Sequence, residues 1–160
     1  MDYTCRYDSP LGGILLASDG EALTGLWFEG QRYFAAGLKE NTEERFLPVF
    51  EQTTEWLDAY FDGRDPVLSP PLSFVGTDFR KAVWETLLTV PYGEVISYGE
   101  LARRMGLETK SARAVASAVA HNPISIIVPC HRVIAGDGNL TGYAGGLERK
   151  RKLLLLEKAQ

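Results

Sequence analysis

The chain has 160 residues, 45% of them hydrophobic, which is long and apolar enough for one ordinary domain or two small ones around a sizeable core. No apolar run approaches the ~20 residues needed to cross a bilayer, so a soluble protein is expected, and a formal charge of -4 argues against strong nonspecific DNA binding. That total hides an asymmetry: residues 1–78 hold 5 Lys/Arg against 14 Asp/Glu, a net of -9, whereas residues 79–160 hold 12 against 7, a net of +5, so a polyanion-facing surface is expected on the second half only.

Met1 to Pro10 is mixed and polar, with no signal-peptide pattern, and the two cysteines, Cys5 and Cys130, lie far apart. A reducing cytoplasm is the expected setting. Tyr3 to Tyr7, Gly13 to Ser18 and Ala22 to Phe28 are short apolar or alternating runs separated by Ser9 to Gly12 and by Asp19-Gly20, which predicts an antiparallel meander. A helix follows over Leu47 to Phe61, ended by Asp62-Gly63, and the three prolines of Pro66 to Pro71 read as an extended linker. A domain boundary is expected near Ser73 to Gly76, giving domains over 1–75 and 76–160.

In the second half, Thr77 or Asp78 can cap a helix whose apolar residues Phe79, Val83, Leu87 and Val90 recur near a 3.6 period until Pro91. Ser97 and Glu100 form a capping-box pattern before Leu101, Ala102 and Met105, with Gly106 as the terminator. After Leu107 to Lys110, the run Ser111 to Ala120 makes a second helix, so the two resemble a helix-turn-helix. Its stripe Ala112, Val115, Ala116 and Val119 is expected to face the core, leaving Arg113, Ala114, Ser117, Ala118 and Ala120 outward. Only the arginine there is large, so a backbone or a nucleic-acid groove could approach closely; tight packing of good helix formers is the competing reading.

The stretch "IIVPCHRVI", Ile126 to Ile134, reads as a core strand running up to a polar edge. Cys130 suits a core, but His131 and Arg132 are costly to bury without partners. Adjacent residues on a strand point to opposite faces, so a bend at Pro129 or a bridging water is needed for thiol and imidazole to cooperate. A structural cysteine beside a surface histidine is the other reading.

"PYGEVISYGELA", "ARAVASAVAHNP", "VPCHRVI" and "GYAGG", in this order and spacing, resemble the O6-alkylguanine-DNA alkyltransferases, also called methylated-DNA-protein-cysteine methyltransferases. The resemblance is close over Phe79 to Glu157 and looser over the amino-terminal meander. It implies an α+β protein: a small amino-terminal antiparallel β-sheet domain with a helix, ribonuclease H-like, then a mostly helical, winged helix-turn-helix-like domain. It implies repair of double-stranded DNA carrying alkylated guanine by a monomer that needs no cofactor, with O4 of thymine as a further candidate position.

Residue by residue, Cys130 matches the alkyl-accepting cysteine, His131 the base that draws off its proton through a water, and Glu157 the carboxylate that orients the histidine. Without the resemblance, Glu157 reads as a solvated charge closing Leu153 to Leu156. Tyr98 matches a tyrosine that hydrogen-bonds the flipped base. The loop Gly136 to Gly146 would wall the base pocket, with Tyr143 against the base and the Ala144 N–H directed at O6, while Val133 would offer its carbonyl to the exocyclic amine. Arg113 matches the arginine that fills the space vacated by the extruded base, with Ala114, Ser117 and Ala118 allowing a close approach in the minor groove. Asn122 matches a hinge between the helix-turn-helix and the active-site strand. Some relatives bind zinc through two cysteines and two histidines, but only Cys5 precedes Cys130, and His121 and His131 are the only histidines, so a tetrahedral Cys/His site is not expected. Ser125 and Ala144 stand where some relatives carry proline and serine. The rival readings are a helix-turn-helix regulator with an inert, buried Cys130 and a cysteine hydrolase that turns over repeatedly.

Overall fold

The structure, a computed structural model, describes residues 1–158. Its architecture is α+β, in two compact units, Met1–Val75 and a second beginning at Gly76.

In the first unit, β1 (Asp2–Ser9), β2 (Gly12–Ser18) and β3 (Leu23–Phe28) form the expected antiparallel meander. The turns follow from their residues. Ser9 Oγ accepts the Leu11 N–H at 3.1 Å beside Gly12 at φ 118°, and Asp19 Oδ1 accepts the Glu21 and Ala22 N–H groups. Ile14 and Leu16 pair with Phe28 and Leu26, and these four side chains are buried together with Phe50 and Leu57 of α1 (Pro48–Phe61). Two features differ from the sequence reading. A three-residue β4 (Thr42–Glu44) adds parallel to β1, giving the order β3-β2-β1-β4; its Thr-Glu-Glu sequence carries no strand signal. The prolyl segment is no free linker at its end, because the Leu23 N–H donates to Pro71 O (2.8 Å) and the Ser73 N–H to Leu23 O (3.0 Å), bridging Leu72 to β3.

In the second unit, α2 (Asp78–Leu87) starts at Thr77, whose hydroxyl accepts the Arg80 N–H. The strand β5 (Ile96–Ser97) leads into α3 (Tyr98–Arg104), where Ser97 Oγ accepts the Glu100 N–H at 3.0 Å and Gly106 adopts φ 76° past the helix end. A 3-10 turn precedes α4 (Ala112–Ala120); β6 (Val133–Ile134) pairs parallel with β5; and α5 (Leu147–Glu157) closes the unit. The helical core is set by Trp84, whose buried indole N–H needs an acceptor and finds Ala118 O at 2.8 Å. Two expectations are thereby corrected. Ala118 is buried against this indole and does not face outward, and Phe79 is half exposed while Val83, Trp84 and Leu87 carry the buried stripe of α2.

Candidate active site

The segment from α4 to Cys130 is not a strand, and its sequence explains why. Pro123 and Pro129 remove two backbone donors, and Asn122, buried after the end of α4, supplies local bonds instead: its Nδ2 donates to Ile124 O (3.2 Å) and Val128 O (2.9 Å), and its Oδ1 accepts the Ile124 N–H (3.0 Å). Between these anchors the chain makes two three-residue turns. The Ile127 N–H donates to Ser125 O (2.8 Å) across Ile126 at φ 70°, and the Cys130 N–H donates to Val128 O (2.8 Å) across Pro129 at φ -81°, ψ 63°, an inverse γ-turn. A buried β-branched residue at positive φ is a strained position, of the kind that persists only where surrounding bonds enforce it, at a cost of about 1–3 kcal/mol.

The bend at Pro129 starts a 3-10 turn over Cys130–Arg132, so successive side chains fan out about a third of a turn apart instead of alternating. Cys130, His131 and Arg132 are all buried. His131 Nε2 lies 2.7 Å from Glu157 Oε2. Arg132 takes the same carboxylate with two donors, Nε to Oε1 (2.8 Å) and a terminal nitrogen to Oε2 (3.1 Å), and its other terminal nitrogen donates to Val90 O (2.7 Å). The Gly93 N–H adds a fourth bond to the carboxylate, at 3.1 Å on Oε1. Glu157 is therefore no surface charge. Burial alone would raise its pKa, but the bonds and charges of His131 and Arg132 outweigh burial and hold it well below the usual carboxylate range. For His131 burial dominates and pushes the imidazole below its ordinary value; Glu157 opposes this, and Arg132 and Lys150 reinforce it.

Around the thiol stand Asn122, Tyr143 and Lys150. Burial pushes the Cys130 thiol up, offset in part by bonds from Asn122 and Tyr143 and by the Lys150 charge. The Tyr143 hydroxyl is buried with Ser125 and Cys130 as polar neighbours, and burial raises its pKa well above the ordinary tyrosine value. Tyr98, the first residue of α3, has Thr141 and Cys130 among its polar neighbours. Ala144 is half buried in a turn closed by the Gly146 N–H on Tyr143 O (2.8 Å). Lys150 is fully buried, its Nζ donating to Val133 O (2.5 Å) and Thr141 O (2.7 Å), and burial lowers it to about 8. The Val133 carbonyl is thus already engaged, with one lone pair left.

Cys130, His131, Glu157, Tyr98, Val133, Tyr143 and Asn122 thus gather in one region of the second unit. Arg113, Ala114 and Ser117 do not join them; they lie exposed together on the outer face of α4. Arg132 and Lys150 were not among the expected site residues. Lys150, Leu153, Leu154 and Glu157 are the buried positions of α5, spaced i, i+3, i+4, i+7, and that spacing was the available signal: two charged residues occupy the ends of a buried stripe. Among the described residues, no group of three or more His, Cys, Asp or Glu side chains could hold a metal ion, and no helix is long and apolar enough to cross a membrane.

Comparison with known proteins finds matches over nearly the whole chain. Residues 3–74 match the ribonuclease-like domain of 6-O-methylguanine DNA methyltransferase, and residues 78–159 its DNA binding domain. A methylated-DNA--protein-cysteine methyltransferase of Haemophilus influenzae is 46% identical over 98% of this chain and 86% of its own, and one of Methanosarcina acetivorans is 44% identical over 97% of each. The crystal structure of Mycobacterium tuberculosis OGT in complex with DNA superimposes with a TM-score of 0.87 at 45% identity, covering 98% of this chain and 92% of that one.

Proposed function

This chain belongs to the 6-O-methylguanine DNA methyltransferase family, and from that premise we propose that it repairs DNA by direct damage reversal, with Cys130 as acceptor. One observation carries the assignment: a buried cysteine precedes a histidine whose Nε2 is 2.7 Å from a fully buried carboxylate that Arg132 also bonds. His131 accepts the thiol proton through a water, and the resulting thiolate, the reactive form of cysteine, attacks the alkyl carbon. The C–O bond to guanine breaks as the C–S bond forms, and the departing O6 carries the electron pair. Tyr98 and the Ala144 N–H are the donors that meet this charge, and the remaining lone pair of the Val133 carbonyl takes the exocyclic amine, with Tyr143 against the base. A thioether is a poor leaving group and no second nucleophile releases it, so each molecule reacts once.

Reaching the base requires extruding it from the duplex at a cost of a few kcal/mol. Arg113 fills the gap, while Ala114 and Ser117 give the outer face of α4 its close approach; Ala118, being buried, has no part in this. Asn122 ties the end of α4 to the turn that carries Cys130 and so serves as the hinge between DNA-binding and reacting elements. We place the protein in the cytoplasm, acting as a monomer on double-stranded DNA, with its two domains over 1–75 and 76–160. Intact-protein mass spectrometry after incubation with O6-methylguanine duplex tests the reading. One added methyl group per molecule, mapped to Cys130, is expected; sustained turnover or a methyl group on Cys5 refutes it.

A further inference from the structure

A histidine hydrogen-bonded to a buried carboxylate is ordinarily drawn toward its charged form, because the imidazolium is the natural partner of the anion. An imidazolium cannot accept a thiol proton. Here the carboxylate has a second, permanent partner. Arg132 spans both oxygens of Glu157 with Nε (2.8 Å) and a terminal nitrogen (3.1 Å), the two-donor fork that suits guanidinium and no other side chain. The guanidinium is independently anchored by Val90 O at 2.7 Å and by the Tyr92 ring, whose centroid lies 5.7 Å from Cζ, so its place does not depend on Glu157 alone. His131 therefore adjoins a neutral ion pair in place of a bare anion.

We propose that Arg132 is a positioning residue of the transfer reaction, holding Glu157 in register with His131 and offsetting its charge so that the imidazole rests neutral, ready to accept the Cys130 proton. The proposal rests on the transferase reading above. Among the described residues, the charged groups acting on His131 besides Arg132 are Glu157 and Lys150, both from α5, and the Cys130 thiol precedes it on the same turn. Lys150, bonded to two carbonyls, acts in the same direction as Arg132 but touches neither oxygen of the carboxylate in the bonds described. Arg132 is thus the cation that acts through Glu157.

The chain has two histidines, so nuclear magnetic resonance of the full-length, histidine-labelled protein resolves His131, with His121→Gln assigning the other signal. In the wild type, His131 is expected to stay neutral to a pH below its ordinary value of about 6.5. In Arg132→Met it should titrate at least about one pH unit higher, a tenfold change in the ratio of charged to neutral ring, and the acid limb of the single-turnover rate should move with it. Arg132→Lys keeps a charge and should remain nearer the wild type than the methionine variant. A folded Arg132→Met whose His131 titrates as in the wild type overturns the proposal. If that variant does not fold, Arg132→Lys decides, because an ammonium cannot span both oxygens of Glu157: a folded lysine variant whose His131 titration and acid rate limb move upward supports the proposal, and one in which both stay at their wild-type positions overturns it. These titrations need no substrate, so a wild type that takes up no alkyl group defeats the transferase reading separately, whatever His131 does.

Discussion

Replacing Glu157 by glutamine is the perturbation for which the geometry gives the firmest numbers. Among the described residues, the carboxylate accepts four hydrogen bonds, from His131, twice from Arg132 and from the Gly93 N–H. In Glu157→Gln one oxygen becomes an NH2 group, and either orientation turns a donor toward donors: Arg132 Nε and Gly93 on one side, His131 and Arg132 on the other. The buried guanidinium also loses its counter-charge, and breaking a buried pair from one side costs about 3–5 kcal/mol. At roughly 2–4 °C per kcal/mol for a chain of this size, Tm should fall by about 6–20 °C. The pH dependence follows from the depressed carboxylate pKa. A group whose folded pKa lies below its unfolded value of about 4.3 contributes its full stability above that value and loses it as pH falls toward the folded one. Glu157's own ionisation therefore leaves the gap between wild type and variant constant above about pH 5 and narrows it only below about pH 4.3, while the further lowering of His131 once Glu157 is gone adds a change of its own below the ordinary histidine value of about 6.5. In the folded fraction, the imidazolium that forms during transfer has lost its anion, so the single-turnover rate at neutral pH should drop, and raising the pH should recover part of it by forming thiolate unaided. Thermal melts across this range, with rates at each pH, check both halves. A Tm within 2 °C of the wild type at pH 7 refutes the energetic argument, and an unshifted rate profile removes Glu157 from the catalytic set.

Cys130→Ser should bind methylated duplex while taking up no alkyl group, read by gel shift and mass spectrometry on the same sample. Arg113→Ala, at an exposed position, should leave stability within about 0.5 kcal/mol yet slow transfer from duplex DNA far more than from a free base analogue; equal losses on both substrates would assign Arg113 to the fold. Asn122→Ala should cost about 2–4 kcal/mol, since the Ile124 and Val128 carbonyls and the Ile124 N–H lose their partner, and hydrogen exchange should accelerate over Ile124–Cys130. Lys150, lowered by burial to about 8, binds fewer protons folded than unfolded between there and its unfolded value of about 10.4. Its contribution to stability should therefore rise with pH across that window, by on the order of 3 kcal/mol, seen in urea melts as a widening difference between wild type and Lys150→Met.

What was legible in the sequence and what was not divide along a physical line. The meander, α1, α3 and α4 could be read because hydrophobic period and turn chemistry are local: Asp19-Gly20, Ser97 with Gly106 and Asn122-Pro123 each act within a few residues. β4 could not, because Thr42–Glu44 becomes a strand only through parallel pairing with Asp2–Thr4, about forty residues away. Ile126–Val128 was misread for the opposite reason, since its apolar run promises a strand while its backbone bonds are captured by one side chain, Asn122, and two prolines. Ala118 is buried at the stretch of α4 whose backbone carbonyl takes a distant indole N–H, a long-range contact that a helical wheel of α4 cannot express.

The site itself shows the same division more sharply. Cys130 and His131 were conspicuous because a polar pair inside an apolar run must be satisfied somewhere, and that argument extended to Arg132 without saying where its partner lay. The partner is Glu157, whose carboxylate would be a solvated charge were α5 not packed with Lys150, Leu153, Leu154 and Glu157 inward. Two opposite charges on one buried face, seven residues apart, are affordable only because each meets groups from elsewhere in the chain: Lys150 the carbonyls of Val133 and Thr141, and Glu157 the side chains of the Cys130–Arg132 turn. The same requirement that keeps these charges satisfied joins the cysteine turn to the closing helix. A substitution in α5 therefore acts on the thiol chemistry even where it touches no DNA.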